Sequence, residues 1–440
     1  MKRFIMDDLI KWKNSNNRKP LIIKGARQVG KTYILKEFGN KNYDNLAYFN
    51  FDHDEDLYNI FKNTKDPKRI IEQLSFLYGK AIKKEETLII FDEIQECPNA
   101  LNSLKYFCEE EPEYHIVCAG SLLGIRLSHT SFPVGKVDFL EMHPMTFLEF
   151  LIADGCENLF EYLNSLTTIE SIPEPFFNRL EEKLKAYFII GGMPEVVLSW
   201  VTEKDMEQVN KIQKNILEAY EKDFSKHTSS YEANKISLIW NNIPSQLAKE
   251  NKKFLYQVVK EGARAREYEG AINWLRDANI IYKINDVSKT DIPLCAYTNL
   301  NAFKIYMLDV GLLRRMTNLD SKIVIQGNKL YEEFKGSLTE NYCLEQLSYM
   351  YQNNINYYTF DKYEIDFIIQ EKNEVIPIEV KSGISISSSS SKKYIEKYKP
   401  KLSVRLSMKN LNLSDNVLNI PLFMIEYLPK LLTQLLEENN

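Results

Sequence analysis

The chain has 440 residues and a mass of 51.6 kDa, too long for one ordinary domain and suited to two to four. Hydrophobic residues make up 44% and charged residues 27%, with few Gly (16) and Pro (15), which excludes disordered and collagen-like architectures. The formal net charge of −5, from 56 basic and 61 acidic residues, excludes a whole-chain basic signature for nucleic acid, although such an average can hide a local patch.

The first strand pattern is Leu21-Ile22-Ile23. It leads into Gly25-Ala26-Arg27-Gln28-Val29-Gly30-Lys31-Thr32, which matches G-x-x-x-x-G-K-[ST] at every fixed position. Tyr33-Ile34-Leu35-Lys36-Glu37-Phe38 then reads as helix. The chemistry requires this spacing, because glycines let backbone N–H groups curl round phosphate oxygens at a helix N-terminus. Gly25, Ala26, Arg27, Gln28, Val29, Gly30, Lys31 and Thr32 are therefore the expected ATP cradle. Lys31 would act on the β- and γ-phosphates, and the Thr32 hydroxyl on Mg²⁺.

Leu46-Ala47-Tyr48-Phe49 is a second strand pattern and Thr87 to Phe91 a third. The third delivers Asp92-Glu93, two acids at the end of an apolar strand. Beside a phosphate loop, Asp92 is expected to hold Mg²⁺ and its waters, and Glu93 to polarise the attacking water. A fourth pattern, His115 to Ala119, ends at Gly120-Ser121. The Ser121 hydroxyl can sense the γ-phosphate or orient water, and the pair reads almost equally as a strand-end turn. Arg126, one of twelve Arg, is a candidate finger acting on a neighbouring subunit, which would make the protein a homo-oligomer. Apolar strands alternating with helices predict a parallel α/β sheet covered on both faces.

The order of strand, phosphate loop, Asp-Glu strand and Gly-Ser strand resembles the AAA+ superfamily of ATPases. More closely, it is similar to a prokaryotic family that begins G-[AP]-R-Q-V-G-K-T and carries a C-terminal domain of unknown function. Phe132-Pro133-Val134-Gly135-Lys136-Val137, His143-Pro144-Met145-Thr146-Phe147 and Gly191-Gly192-Met193-Pro194-Glu195 extend the match. The resemblance implies an AAA+ core over 1–145, a helical lid over 146–231 and a winged helix over 232–320.

Residues 145–230 read as helical, Phe147-Leu148-Glu149-Phe150-Leu151 being an early example. The longest apolar stretch, Ala186 to Val201, contains Gly191-Gly192, Pro194 and Glu195, so no membrane span is expected there. Further on, the helix pattern Ala271 to Ala278 precedes the strands Ile280-Ile281-Tyr282 and Phe303 to Met307. From Asn251 to Lys283 there are seven basic and four acidic residues. That surplus permits DNA contact by a helix and wing, and equally a protein-interaction or spacer role.

Near the C-terminus, Glu364-Ile365-Asp366-Phe367-Ile368-Ile369 and Val375-Ile376-Pro377-Ile378-Glu379-Val380-Lys381 predict a hairpin turning at Lys372-Asn373. Asp366 and Glu379 lie equally far from that turn and so fall opposite each other, with Lys381 on the same face. Opposed carboxylates call for a cation, and Mg²⁺ suits the place. Glu340, on the predicted helix Leu338-Thr339-Glu340-Asn341-Tyr342, is a further metal candidate. D-x(n)-E-x-K after a helical Glu resembles the PD-(D/E)XK, restriction-endonuclease-like fold, here over 321–440. Ile365 replaces the usual Pro. The resemblance implies either a live nuclease, with Asp366, Glu379 and Lys381 catalytic, or an inert binding module on the same fold.

From Lys381 to Asn410 eight basic residues face one acid, Glu396. That suits a phosphate backbone such as DNA, with Tyr394 and Tyr398 placed to stack on bases. The serine run Ser387 to Ser391 is expected to be a mobile loop. Six cysteines without C-x-x-C spacing, and only five His, read as reduced thiols in a cytoplasmic protein. Only three apolar residues separate Met1-Lys2-Arg3 from Asp7-Asp8, too few for a secretory segment.

Overall fold

The structure, a computed structural model, describes the chain apart from residues 53, 121–131, 227, 250–251, 327–331, 353, 384–388 and 438–440. It forms two compact units. One is Met1–His143 with Asp277–Ile280; the other is Pro144–Arg276 with Ile281–Asn440. The first unit ends close to the expected core boundary at residue 145 and also takes in Asp277–Ile280, from within the stretch read as a winged helix.

The first unit is built on a parallel sheet of β1 (Leu21–Lys24), β2 (Asn45–Asn50), β3 (Thr87–Asp92), β4 (His115–Ala119) and β5 (Asp138–Glu141). Their order is β2-β3-β4-β1-β5. The first four carry the four apolar runs. The fifth, Asp-Phe-Leu-Glu, is short and only half buried, so its sequence carries little strand signal. Every residue of β3 is buried, as expected of a strand covered on both faces. Phe51, Phe61 and Phe91 meet edge to face with ring centroids 5.5 to 5.6 Å apart. That packing fixes the end of β3 one residue before Asp92. Because the strands are parallel, the loops after β1 and β3 leave the same edge of the sheet, where open α/β sheets take ligands.

In the second unit, helices occupy Phe147–Ala153, Glu157–Ser165, Glu174–Ile190, Pro194–Glu203, Met206–Lys226 and Ser230–Leu247. Thr146 and Glu149 close a capping box at the first of them. Met145 and the Gly191-Gly192 motif supply packing here. Met145 N donates to Gly192 O at 2.6 Å, and a Cβ on Gly192 would lie 2.0 Å from Met145 O.

An eight-stranded sheet follows. It comprises β6 (Ile281–Val287), β7 (Thr298–Met307), β8 (Ile355–Phe360), β9 (Tyr363–Glu371), β10 (Glu374–Val380), β11 (Ser403–Ser407), β12 (Asn412–Ser414) and β13 (Val417–Pro421). The order is β12-β13-β11-β10-β9-β8-β6-β7. The strand pair expected in a winged helix is β6–β7, and it lies at one edge of this sheet. There β6 pairs in parallel with β8 through Asn285↔Asn356 and Asp286↔Tyr357.

Two expectations are corrected in this unit. The serine run is no loop over its second half, because Ser389–Tyr398 is a helix and Ser391 is buried. Tyr394 and Tyr398 do not present their rings for stacking. Tyr394 is buried and Tyr398 partly buried, and both pack on Tyr358 and Phe360. Their four-residue spacing is the apolar stripe by which this helix seats on the sheet. Among the described residues, no helix is long and apolar enough to cross a membrane.

Candidate nucleotide site and C-terminal acid cluster

The loop after β1 opens the helix Lys31–Asn42, with Gly30 at its N-cap at φ 94°. Gly25 has φ 144°, and a Cβ there would lie 2.2 Å from the carbonyl oxygen of Met142. Only glycine fits that approach. Gln28 is held at φ 66° in mid-loop, a strained conformation of the kind stored at binding sites. Lys31 is buried, and its Nζ donates to Gly25 O at 2.8 Å and Ala26 O at 2.7 Å. Burial pulls this ammonium down to about 8, against the attraction of Glu93 and Asp92. It is therefore a desolvated cation resting on neutral carbonyls, ready for an anion.

Asp92 closes the other side. The Thr32 hydroxyl donates to its Oδ2 at 2.7 Å, and the Tyr48 hydroxyl donates to the same oxygen at 2.8 Å. Burial, then this bond to Asp92, raises the Tyr48 phenol and keeps it a donor. A hydroxyl and a carboxylate oxygen facing each other beside a phosphate loop are a donor set that would suit a hard, oxygen-seeking divalent cation. Glu93 sits just beyond at φ 51°, and Gln95 Nε2 donates to its Oε2. The structure thus brings together Gly25, Ala26, Gly30, Lys31, Thr32, Asp92 and Glu93. Tyr48 and Gln95 were missed, since nothing in their local spacing marks them. Ser121 and Arg126 lie outside the described residues.

The C-terminal acids form a second cluster. Pairing of β9 with β10 runs from Glu374↔Glu371 to Ile378↔Phe367, so the next step sets Glu379 against Asp366, the register read from the turn. Val380 N donates to Asp366 Oδ2 at 2.7 Å, and Lys381 pairs with Glu379 at 2.7 Å. Glu340 comes in from the helix Glu332–Tyr351. Its partners are two residues that the sequence reading did not single out. Lys252 forms an ion pair with it, and the Tyr306 hydroxyl donates to its Oε2 at 3.1 Å. Lys304, wholly buried on β7, pairs with Glu364 at 2.5 Å.

Burial pushes the Asp366 carboxyl well up, reinforced by Glu379 and Glu340. Burial would raise Glu340 as well, but Lys252 and Lys304 hold it below its ordinary value. Burial would lower Lys304, but Glu364, Glu340 and Asp366 keep it raised. Glu340, Glu364 and Glu379 each have a lysine, and two of these lysines are additions to the expected set. Two ammonium groups carry the charge of one divalent ion. As they stand, these residues do not fit a resident divalent cation. Among all the described residues, no three His, Cys, Asp or Glu side chains form a ligand set for a metal ion.

Comparison with known proteins bears on the loop. Residues 17–151 match the family model of an AAA domain. The N-terminal part of the chain is therefore AAA-like. Residues 181–323 and 335–423 match two domains of unknown function, DUF8612 and DUF4143. An uncharacterized protein of Methanocaldococcus jannaschii is 26% identical over 365 residues, 80% of this chain and 72% of its own. A Walker-type ATPase of Pyrococcus abyssi superposes with a TM-score of 0.44 at 14% identity, over 72% of this chain and 95% of its own. The ORC1 protein of Aeropyrum pernix, solved in complex with DNA, gives a TM-score of 0.28 at 13% identity, over 72% and 90%.

Proposed function

We propose that the chain binds ATP with Mg²⁺ and hydrolyses it, and that its C-terminal part is a nuclease-like fold that binds a partner, DNA, without cutting it. The observation that carries the first half is the Thr32–Asp92 hydrogen bond at 2.7 Å, which joins the phosphate loop to the acid strand across sixty residues. Thr32 and Asp92 would hold the metal, which neutralises phosphate charge when bound. Lys31 moves from the loop carbonyls to the phosphate oxygens. Glu93, released by Gln95, accepts the proton of the attacking water.

Two observations support the second half. The lysine pairing of Glu340, Glu364 and Glu379 favours an inert cluster over a live nuclease. On the basic stretch, Lys393, Lys397 and Lys401 have acidic neighbours in Glu396, Asp361 and Glu374, but all three are exposed, as are Lys392 and Lys399. Exposed pairs of this kind yield readily to a phosphate backbone.

The test is nucleotide titration of the purified protein and of Lys31→Ala. Wild type should bind ATP, and the variant should bind it at least about tenfold more weakly, the worth of a lost charged hydrogen bond. Equal affinity would remove the loop from the account. DNA binding that weakens with salt, with no cleavage under Mg²⁺ or Mn²⁺, is expected of the C-terminal part. Metal-dependent cleavage abolished in Asp366→Ala would replace the inert reading with the live one.

A further inference from the structure

Arg3 precedes the first helix, Ile5–Lys13, which buries Ile5, Leu9 and Trp12. It is itself only 8% exposed. Burying a guanidinium is costly unless its donors are used. Two of them go to backbone carbonyls at widely separated points of the chain. Nη1 donates to Val29 O at 3.0 Å, and Nη2 donates to His143 O at 2.7 Å.

Both acceptors belong to the frame of the phosphate loop. Val29 is the loop residue before Gly30. His143 follows Met142, whose N–H donates to Lys24 O at 2.8 Å and whose carbonyl closes on Gly25. One side chain therefore ties the far end of the loop to the floor under its first glycine. A trans peptide is planar, with its C=O and N–H pointing opposite ways. Holding the Val29 carbonyl on Arg3 turns the Gly30 N–H away from Arg3. The carbonyls of Gly25 and Ala26 face Lys31 instead, so the Val29–Gly30 peptide is the part of the loop whose orientation Arg3 sets.

We propose that Arg3 is a positioning residue for the nucleotide, fixing the Val29–Gly30 peptide so that the Gly30 amide is preset to receive a phosphate oxygen. This rests on the reading of the loop as a nucleotide site. A preset donor costs no reorganisation when the anion arrives. Lysine cannot substitute, because a single ammonium lacks the planar fork that reaches two carbonyls at once.

The experiment titrates ATPγS into wild type, Arg3→Ala and Arg3→Lys, with and without added methylguanidinium, and records each protein's thermal midpoint without nucleotide. Arg3→Ala should bind about tenfold more weakly, the scale of one lost charged hydrogen bond. Methylguanidinium should restore most of that loss in Arg3→Ala and leave wild type unchanged. Arg3→Lys should remain weak. Unchanged affinity in a folded Arg3→Ala protein overturns the proposal. So does a loss that methylguanidinium does not repair, which would mark Arg3 as a support of the fold alone. If wild type itself fails to bind ATPγS, the nucleotide reading falls, a result distinct from a normal wild type beside a normal Arg3→Ala.

Discussion

The phosphate loop and the C-terminal cluster use the same residue types, lysine and carboxylate, in opposite arrangements. At the loop, Lys31 rests on two carbonyls and Asp92 accepts from two hydroxyls. Among the described residues, neither charge is in an ion pair with an opposite one. In the C-terminal cluster Lys252, Lys304 and Lys381 each contact a carboxylate. The first arrangement is open to an anion and a cation arriving together. The second is largely closed, since three of its four carboxylates already meet a lysine and burial pushes the fourth, Asp366, toward its neutral form. A site is therefore marked less by which ionisable residues it contains than by whether they have already found one another.

The sharpest way to break this contrast is at Glu93. Glu93→Gln should keep ATP bound and lower turnover by about 10²–10⁴, the usual worth of a general base. Normal turnover in a single-turnover assay would take Glu93 out of its role. In the closed cluster the expected effect is on stability. Lys304→Met leaves the partly exposed Glu364 without its buried lysine partner and should cost about 1–3 kcal/mol in chemical denaturation. Lys304→Met with Glu364→Leu should recover much of that. If the single variant unfolds like wild type, the cluster is not the closed network described.

The smallest effect is one of pH. The Lys31 ammonium is lowered to about 8 from 10.5, so between those values the unfolded chain holds a proton that the folded one has released. Stability of the nucleotide-free protein should therefore rise with pH across that window. ATP affinity should fall over the same range, as Lys31 loses its charge. A flat affinity from pH 7 to 10 would contradict the position given to Lys31.

Much of the loop site was legible because its parts are local. Eight consecutive residues make the phosphate-loop pattern, and Asp92-Glu93 follows a strand that reads as buried. The hairpin register was legible too, since the turn at Lys372-Asn373 fixes which residues mirror each other. What sequence could not convey is long-range. Lys252 meets Glu340 across 88 residues and Lys304 meets Glu364 across 60, and no spacing rule joins such partners. For the same reason β6–β7 gave no sign of joining the C-terminal sheet, because its contact with β8 depends on a strand some seventy residues on. Tyr394 and Tyr398 misled in another way. Their spacing defines one helix face, but only packing decides that the face turns inward.

Equilibrium dialysis against Mn²⁺, with and without ATP, tests the contrast most directly. The protein should retain Mn²⁺ only with ATP, and Asp92→Asn should abolish this. Mn²⁺ retained without nucleotide, kept in Asp92→Asn and lost in Asp366→Asn, would contradict it and make the C-terminal cluster the metal site.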